Sequence, residues 1–355
     1  LYIQIKLCRG DNMGTKKRTT MKDISNHCGI SVATVSRVLN ENYYVSPEIK
    51  EQVLRAMKEL HYSPNYTARS LKCNKSGMIG YITSDISNSY HITIAKAIED
   101  VVKSSNYNLI VCSTNNKKDS EEKYLKLLTS RNVDALVLNS CGENDPLILE
   151  INQFIPMVLV NRKLNTPEFH GDLADCNNIL GIYLLTKDLL LHGHKKILLI
   201  EGPAKLSNVR ERFLGFQTAM QEFGFSVQDD YPFRFEGDFS IQSGINAIDF
   251  VQSIPSENRP TAIIGTNNLT TIGAMKGALN HNLSVPLDIS IVGFNSIENI
   301  ELMHFQPTVA AFNPYQIGHA AGTAILERIH DNSIENRTFI FPPTLIQGNS
   351  VSKLI

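Results

Sequence analysis

The stretch TMKDISNHCGISVATVSRVLN, residues 20–40, decides the reading of this chain. Thr20 with Asp23 three positions later makes an N-cap of capping-box type, and the acid suits the positive end of a helix dipole. The spacing predicts a helix from Met21 to about His27 that stops at Gly29, whose freedom at positive φ permits a tight turn. Ser31 then caps a second helix, Val32 to about Asn40. Ile24, Cys28, Ile30, Val35, Val38 and Leu39 can close a small core between the two, with Thr34, Ser36 and Arg37 outward. Helix, glycine turn and helix at this spacing form a helix-turn-helix. A third helix opens with Ser46 as N-cap and Pro47 at the first helical position. Its stripe of Ile49, Val53, Ala56, Met57 and Leu60 packs on the first pair. By spacing alone the pattern also fits other small three-helix domains.

Charge separates this module from the rest. From Lys16 to Lys75, eleven Lys and Arg stand against five Asp and Glu; from Ser76 onward 21 basic residues face 29 acidic ones. A basic module joined to an acidic body is the electrostatic footprint of nucleic-acid binding confined to one end. At 355 residues, 42% hydrophobic and 19% charged, the chain has length and apolar content for two or three soluble globular domains. Cys8, Cys28, Cys73, Cys112, Cys141 and Cys176 are scattered without a CxxC pair, which suits free thiols in a reducing cytoplasm. No apolar run approaches the roughly 20 residues of a membrane helix, so no membrane partner is expected. Residues 1–18 read as a disordered leader or as the product of a start upstream of Met13, with too short an apolar centre for a signal peptide.

Beyond residue 77, short apolar runs alternate with helical stretches: MIGYIT and a helix from Ile92 to Ser105; LIVCST and a helix from Ser120 to Arg131; ALVLNS; MVLVN; KILLI and a helix from Val209 to Phe223; AIIGT and a helix from Thr270 to Asn280; SIVGF. Strands separated by crossover helices imply parallel sheets with ligands at their carboxyl ends. No GxGxxG or Walker sequence stands at a strand–helix turn. No catalytic triad or metal cluster is visible, and His192 and His194 read as a loop and the start of a strand. Neither an enzyme nor a cofactor is expected.

The phrase at 20–40 closely resembles the DNA-binding headpiece of the lactose/galactose-repressor family. DISNSYH (85–91), LLHGHKKILLI (190–200), RERFLGFQTAM (210–220), PLDISIVGFNS (286–296) and QPTVAA (306–311) stand where that family's signature segments stand. The resemblance implies an all-α helix-turn-helix headpiece, residues 19–63, and a hinge helix with linker, 64–76. A periplasmic-binding-protein-like α/β domain of two parallel-sheet subdomains follows over 77–355. One subdomain would take 77–175 and 306–334, the other 176–305 and 335–350, with crossings near Cys176, Phe305 and Ile334. It implies a cytoplasmic repressor of transcription, working as a homodimer on double-stranded operator DNA. A sugar, sugar phosphate or sugar acid clamped between the subdomains would control it allosterically. No leucine-heptad tail follows the last strand, in keeping with a dimer.

Residue roles follow at matching positions. Val32 and Ala33 would choose operator bases by methyl contacts, and Arg37 would reach a guanine or phosphate. Thr20, Thr34 and Ser36 would hold the backbone. In SPNYTARSLKCNKS (63–76), Asn65 would cap the hinge helix and Ala68 and Leu71 would enter the minor groove, Leu71 as a wedge. Arg69 and Lys72 would contact phosphates. Asn88, Tyr90, His91, Arg162, Arg212, Asn268 and Asn295 would form the effector pocket. Asn177, Asn268 and Asn295 stand where many relatives carry Asp, and Asn161 adds a fourth replacement beside Arg162; the pattern suits either an anionic effector or an isosteric replacement that serves a neutral sugar.

Overall fold

The computed structural model describes residues 19–40, 43–62, 75–164, 166–302 and 305–354. The leader and the expected hinge residues Asn65, Ala68, Arg69, Leu71 and Lys72 lie outside them. The chain divides into two compact units, residues 1–74 and 75–355.

In the first unit, α1 (Met21–Cys28) begins at the expected capping box: the Thr20 hydroxyl accepts from the Asp23 amide, and the Asp23 carboxylate accepts from the Thr20 amide at 2.8 Å. Gly29 ends the helix at φ 66. The Ser31 hydroxyl accepts from the Thr34 amide at 3.1 Å and so starts α2 (Val32–Asn40). At the head of α3 (Pro47–Glu59), Ser46 is the N-cap residue but makes no side-chain cap bond. Ile24, Cys28, Val35, Val38, Val53 and Ala56 form the core. Gln52 donates to the Cys28 carbonyl at 2.9 Å and His27 meets Glu59 at 2.9 Å, so two polar contacts fix α3 against α1.

The second unit holds two six-stranded sheets. The first contains β1 (Met78–Thr83), β2 (Asn108–Ser113), β3 (Ala135–Leu138), β4 (Met157–Val160), β5 (Asp172–Cys176) and β11 (Thr338–Phe341), in the order β11-β5-β4-β3-β1-β2, all parallel. The second contains β6 (Ile197–Glu201), β7 (Arg234–Glu236), β8 (Ala262–Gly265), β9 (Ser290–Phe294), β10 (Thr308–Ala311) and β12 (Thr344–Ile346), in the order β12-β10-β9-β8-β6-β7. Only β12 runs antiparallel there. Central strands such as Ala135–Leu138 and Ser290–Phe294 are buried throughout, as expected where helices cover both faces.

The sheets place the lobe crossings. The chain leaves the first sheet after Cys176, and the helix Asn178–Leu191 packs on the second lobe. The other two crossings fall later than the sequence suggests. The chain adds β10 to the second sheet before it crosses at Phe312–Asn313, not near Phe305, and the helix Pro314–His330 then packs on the helix Ser89–Lys103. β11 belongs to the first sheet, so the third crossing is at Pro342–Pro343, not near Ile334. The turn signals at Gln306–Pro307 and Asp331–Ser333 mark loops within a lobe.

Asp172 on β5 anchors this return. Arg328 donates to it from Nε and Nη2, both at 2.8 Å, and Arg337 donates from Nη2 at 2.9 Å. The side chains of Arg328 and Asp172 are wholly buried. His194 is also buried, bound to Thr261 and to the Ser352 carbonyl, so it pins the final segment. Cys28, Cys112, Cys141 and Cys176 are buried free thiols.

Candidate functional site

On the headpiece, Val35 and Val38 turn into the core and leave Val32, Ala33 and Arg37 exposed. The Arg37 guanidinium lies 5.6 Å from the ring centre of Tyr43, an aromatic the sequence reading did not mark. Stacking of this kind extends a guanidinium while leaving its donors available. Thr34 pairs with Ser31 at 2.9 Å, Ser36 is partly buried, and Thr20 is committed to its cap.

In the second unit the reversal of strand order flanks β1 in one sheet and β6 in the other, and loops at these switch points are where open α/β sheets bind ligands. Between the lobes lies a cavity of about 730 Å³. All seven pocket residues named from the sequence line it: Asn88, Tyr90, His91 and Arg162 from the first lobe, Arg212, Asn268 and Asn295 from the second. Asn177, by contrast, accepts from the Leu180 amide as the cap of the helix that follows the first crossing, and does not line the cavity.

Arg162 and Arg212 are both buried. Arg162 donates from Nη1 to Asn116 at 2.8 Å and to the Ser140 carbonyl at 2.7 Å, while its buried Nε has no partner. Burial, and then the charge of Arg212, pull its pKa down to about 10. Arg212 donates to Asn178 at 2.9 Å and to the Thr266 carbonyl at 2.7 Å, and lies 4.3 Å from the centre of the Phe294 ring. His91 meets Ser84 at 2.8 Å; burial, helped by Arg162, lowers its pKa to about 3, so the ring is neutral. The Tyr90 hydroxyl donates to Asn161. Asn161 and Asn295 end their strands at φ 63 and 76, a left-handed conformation that asparagine tolerates. Asn88 and Asn268 exchange amide hydrogen bonds at 3.1 and 3.0 Å, one from each lobe.

Sequence reasoning missed Asn116, Asn139, Asn208, Asp238, Phe239 and Phe312 on the cavity wall. The available signal was position: Asn116, Asn139, Asp238 and Phe312 each follow the carboxyl end of a strand within three residues.

Behind the wall, Asp175 accepts from the Cys176 amide at 2.7 Å and from Asn178 at 3.1 Å. Burial, and then Glu211, push its pKa up to about 7. An unfolded aspartate ionises near ~3.9. Between about pH 4 and 7 the unfolded chain has therefore lost a proton that the folded chain keeps, so this carboxyl costs stability as pH rises through that window. His91 acts in the opposite sense below about 6.5, so the test is a difference. Asp175→Asn should gain thermal stability relative to the parent between pH 5 and pH 8; an offset independent of pH would contradict the assignment.

Residues 20–65 match the family model for bacterial regulatory proteins of the lacI family, and residues 76–348 match that for periplasmic binding proteins and the sugar binding domain of the LacI family. The chain is 32% identical over 340 residues to the HTH-type transcriptional repressor PurR of Aliivibrio salmonicida (strain LFI1238), covering 94% of this chain and 99% of that one. The PurR of Serratia proteamaculans (strain 568) is 33% identical over 337 residues, covering 94% and 97%. The fold is similar to that of the lac repressor dimer bound to operator and the anti-inducer ONPF, with a TM-score of 0.80 at 22% identity over 95% of this chain and 100% of that one. A LacI family regulator from Enterococcus faecium with bound ribose gives 0.69 at 25% identity over 78% and 100%. With both of its units matched, the chain belongs to the LacI family of bacterial regulatory proteins.

Proposed function

We propose that this protein is a sequence-specific repressor of transcription that acts in the cytoplasm as a homodimer. A sugar or sugar derivative clamped between the two lobes controls its hold on operator DNA. The observation that carries the reading is the convergence of residues from both lobes on one cavity, in a chain whose other unit exposes Val32, Ala33 and Arg37 on a helix-turn-helix. The PurR relatives are repressors that match over 94% of this chain, and the lac repressor is a dimer on its operator.

Val32 and Ala33 contact bases, Arg37 a guanine or phosphate, and Thr34 and Ser36 the backbone. Thr20, Asn65, Ala68, Arg69, Leu71 and Lys72 complete the DNA surface. Asn88, Tyr90, His91, Arg162, Arg212, Asn268 and Asn295 hold the effector. The protein performs no catalysis on this reading. Ser84 and His91 have the spacing of a nucleophile and its base, but Nδ1 of His91 has no partner. With its pKa near 3 the ring takes up no proton at neutral pH. Among the described residues, no helix is long and apolar enough to cross a membrane, and no group of His, Cys, Asp and Glu could hold a metal.

Selection from random duplexes with the full chain should return a two-fold symmetric site, and recovery of sequences without a shared motif would overturn the reading. On that site Arg37→Ala should cost about 1–3 kcal/mol and relax the preference at one position in each half.

A further inference from the structure

Two buried guanidinium groups face one cavity, and neither forms an ion pair with a carboxylate among the described residues. Their hydrogen-bond partners are neutral: the Asn116 and Asn178 amides and the carbonyls of Ser140 and Thr266. The nearby acids are engaged elsewhere. Glu121, fully buried, accepts from the Cys141 amide at 2.6 Å and from Asn144 at 3.0 Å. Glu211 pairs with Lys163 at 2.5 Å. Asp175 binds Cys176 and Asn178, and burial favours its protonated form.

The lining of the cavity has the same bias. It contains nine asparagines but only two aspartates, Asp85 and Asp238, with Lys276 as a further cation. Asp85 is occupied by Ser87, and Asp238 by Ser240 and Ser243. Two positive charges withdrawn from water with no carboxylate bonded to either are costly, and an anion arriving between them offsets that cost. Guanidinium groups also match carboxylates and phosphates with two parallel bonds. A buried Nε on Arg162 and a buried Nδ2 on Asn161 remain as unpartnered donors, while Oδ1 of Asn139 and of Asn208 remain as buried acceptors. The donors suit an anion and the acceptors suit hydroxyl protons.

We propose that the effector is a hydroxylated molecule carrying a carboxylate or phosphate, and that this anionic group is held between Arg162 of one lobe and Arg212 of the other. The inference rests on the reading of the cavity as an effector site. It adds a direction to the coupling: because the two arginines belong to different lobes, an anion draws the lobes together where their own charges push them apart.

The test needs no knowledge of the natural ligand. Inorganic phosphate is titrated into the full chain by calorimetry at constant ionic strength, beside Arg162→Met, Arg212→Met, Asn295→Asp and Arg37→Ala. The parent and Arg37→Ala should bind phosphate equally, which separates the cavity from the basic headpiece. Either arginine variant should lose that binding, and Asn295→Asp should weaken it at least tenfold. Without phosphate, Asn295→Asp should melt higher than the parent, because the new carboxylate supplies the missing counter-charge. Gluconate and glucose 6-phosphate, each against glucose, then separate a sugar acid from a sugar phosphate. Phosphate binding that is absent, or that survives in both arginine variants, would overturn the proposal. A chain that binds phosphate in the cavity yet selects no DNA sequence would instead defeat the repressor reading and leave the anion site standing.

Discussion

A chain beginning at Lys75 loses operator recognition altogether and keeps ligand binding in its cleft. The two compact units meet at residues 74 and 75, and each has its own apolar core. The charge balance changes sign at the same place. Residues 76–355 carry 21 basic and 29 acidic side chains, so the isolated body repels the phosphate backbone that supplies most non-specific affinity. Specific DNA binding by such proteins exceeds non-specific binding by about 10³–10⁷-fold, and that whole margin should vanish. Fluorescence anisotropy on a selected operator would measure it, with a thermal-shift titration of phosphate on the same preparation showing that the cleft survives. Sequence-specific binding by the shortened chain would refute the assignment of recognition to α2.

The second large effect is on stability. Asp172→Asn should destabilise the effector unit by about 3–5 kcal/mol, because it leaves the fully buried Arg328 without its counter-charge. Nη1 of Arg328 already lacks a partner, so the site has no spare acceptor to offer. For a unit of this size the loss corresponds to a melting temperature lower by on the order of 10 °C. Burial pushes the Asp172 carboxyl up, but the bonds from Arg328 and Arg337 outweigh it and hold the group below the usual range. Its contribution is therefore fully present above about pH 4 and is lost as pH falls through the depressed folded value. The difference between parent and variant should be flat from pH 5 to 8 and shrink in stronger acid. Arg337→Ala removes a one-third-exposed partner and should cost far less. Equal losses from the two substitutions would show that burial is not what gives the pair its weight.

Local rules made the headpiece legible. The Thr20–Asp23 box, Gly29 and Ser31 each act within a few residues, and the structure places them as the sequence suggests. The body was legible as alternating strands and helices, but its helices begin two or three residues earlier than expected, at Ser89, Lys118, Ser207 and Asn268. Two of them take their caps from Asn88 and Asn267, which precede any visible apolar period. The helix Asn178–Leu191 has no such signal, since NILGIYLLTKDLLL is apolar on nearly every side and shows no 3.6-residue stripe. The late crossings had no local signal: a proline or an Asp-Asn-Ser turn looks the same whether the chain changes lobe or returns to the same sheet. Asn208, on the helix Ser207–Glu222, carries no strand-end signal and reaches the cavity only through the packing of that helix.

The Asn88–Asn268 exchange has a consequence for dose response. Because it joins the lobes through protein groups alone, it contributes to their arrangement in the absence of an effector. A ligand moves such an equilibrium only by its differential affinity for the two arrangements, and the resting ratio is set beforehand. Each ~1.4 kcal/mol added to or taken from that resting ratio displaces the effector concentration at half response by up to about tenfold. Two asparagines, one from each lobe and bonded to neither arginine, thus set the threshold of response as well as lining the cavity that receives the effector.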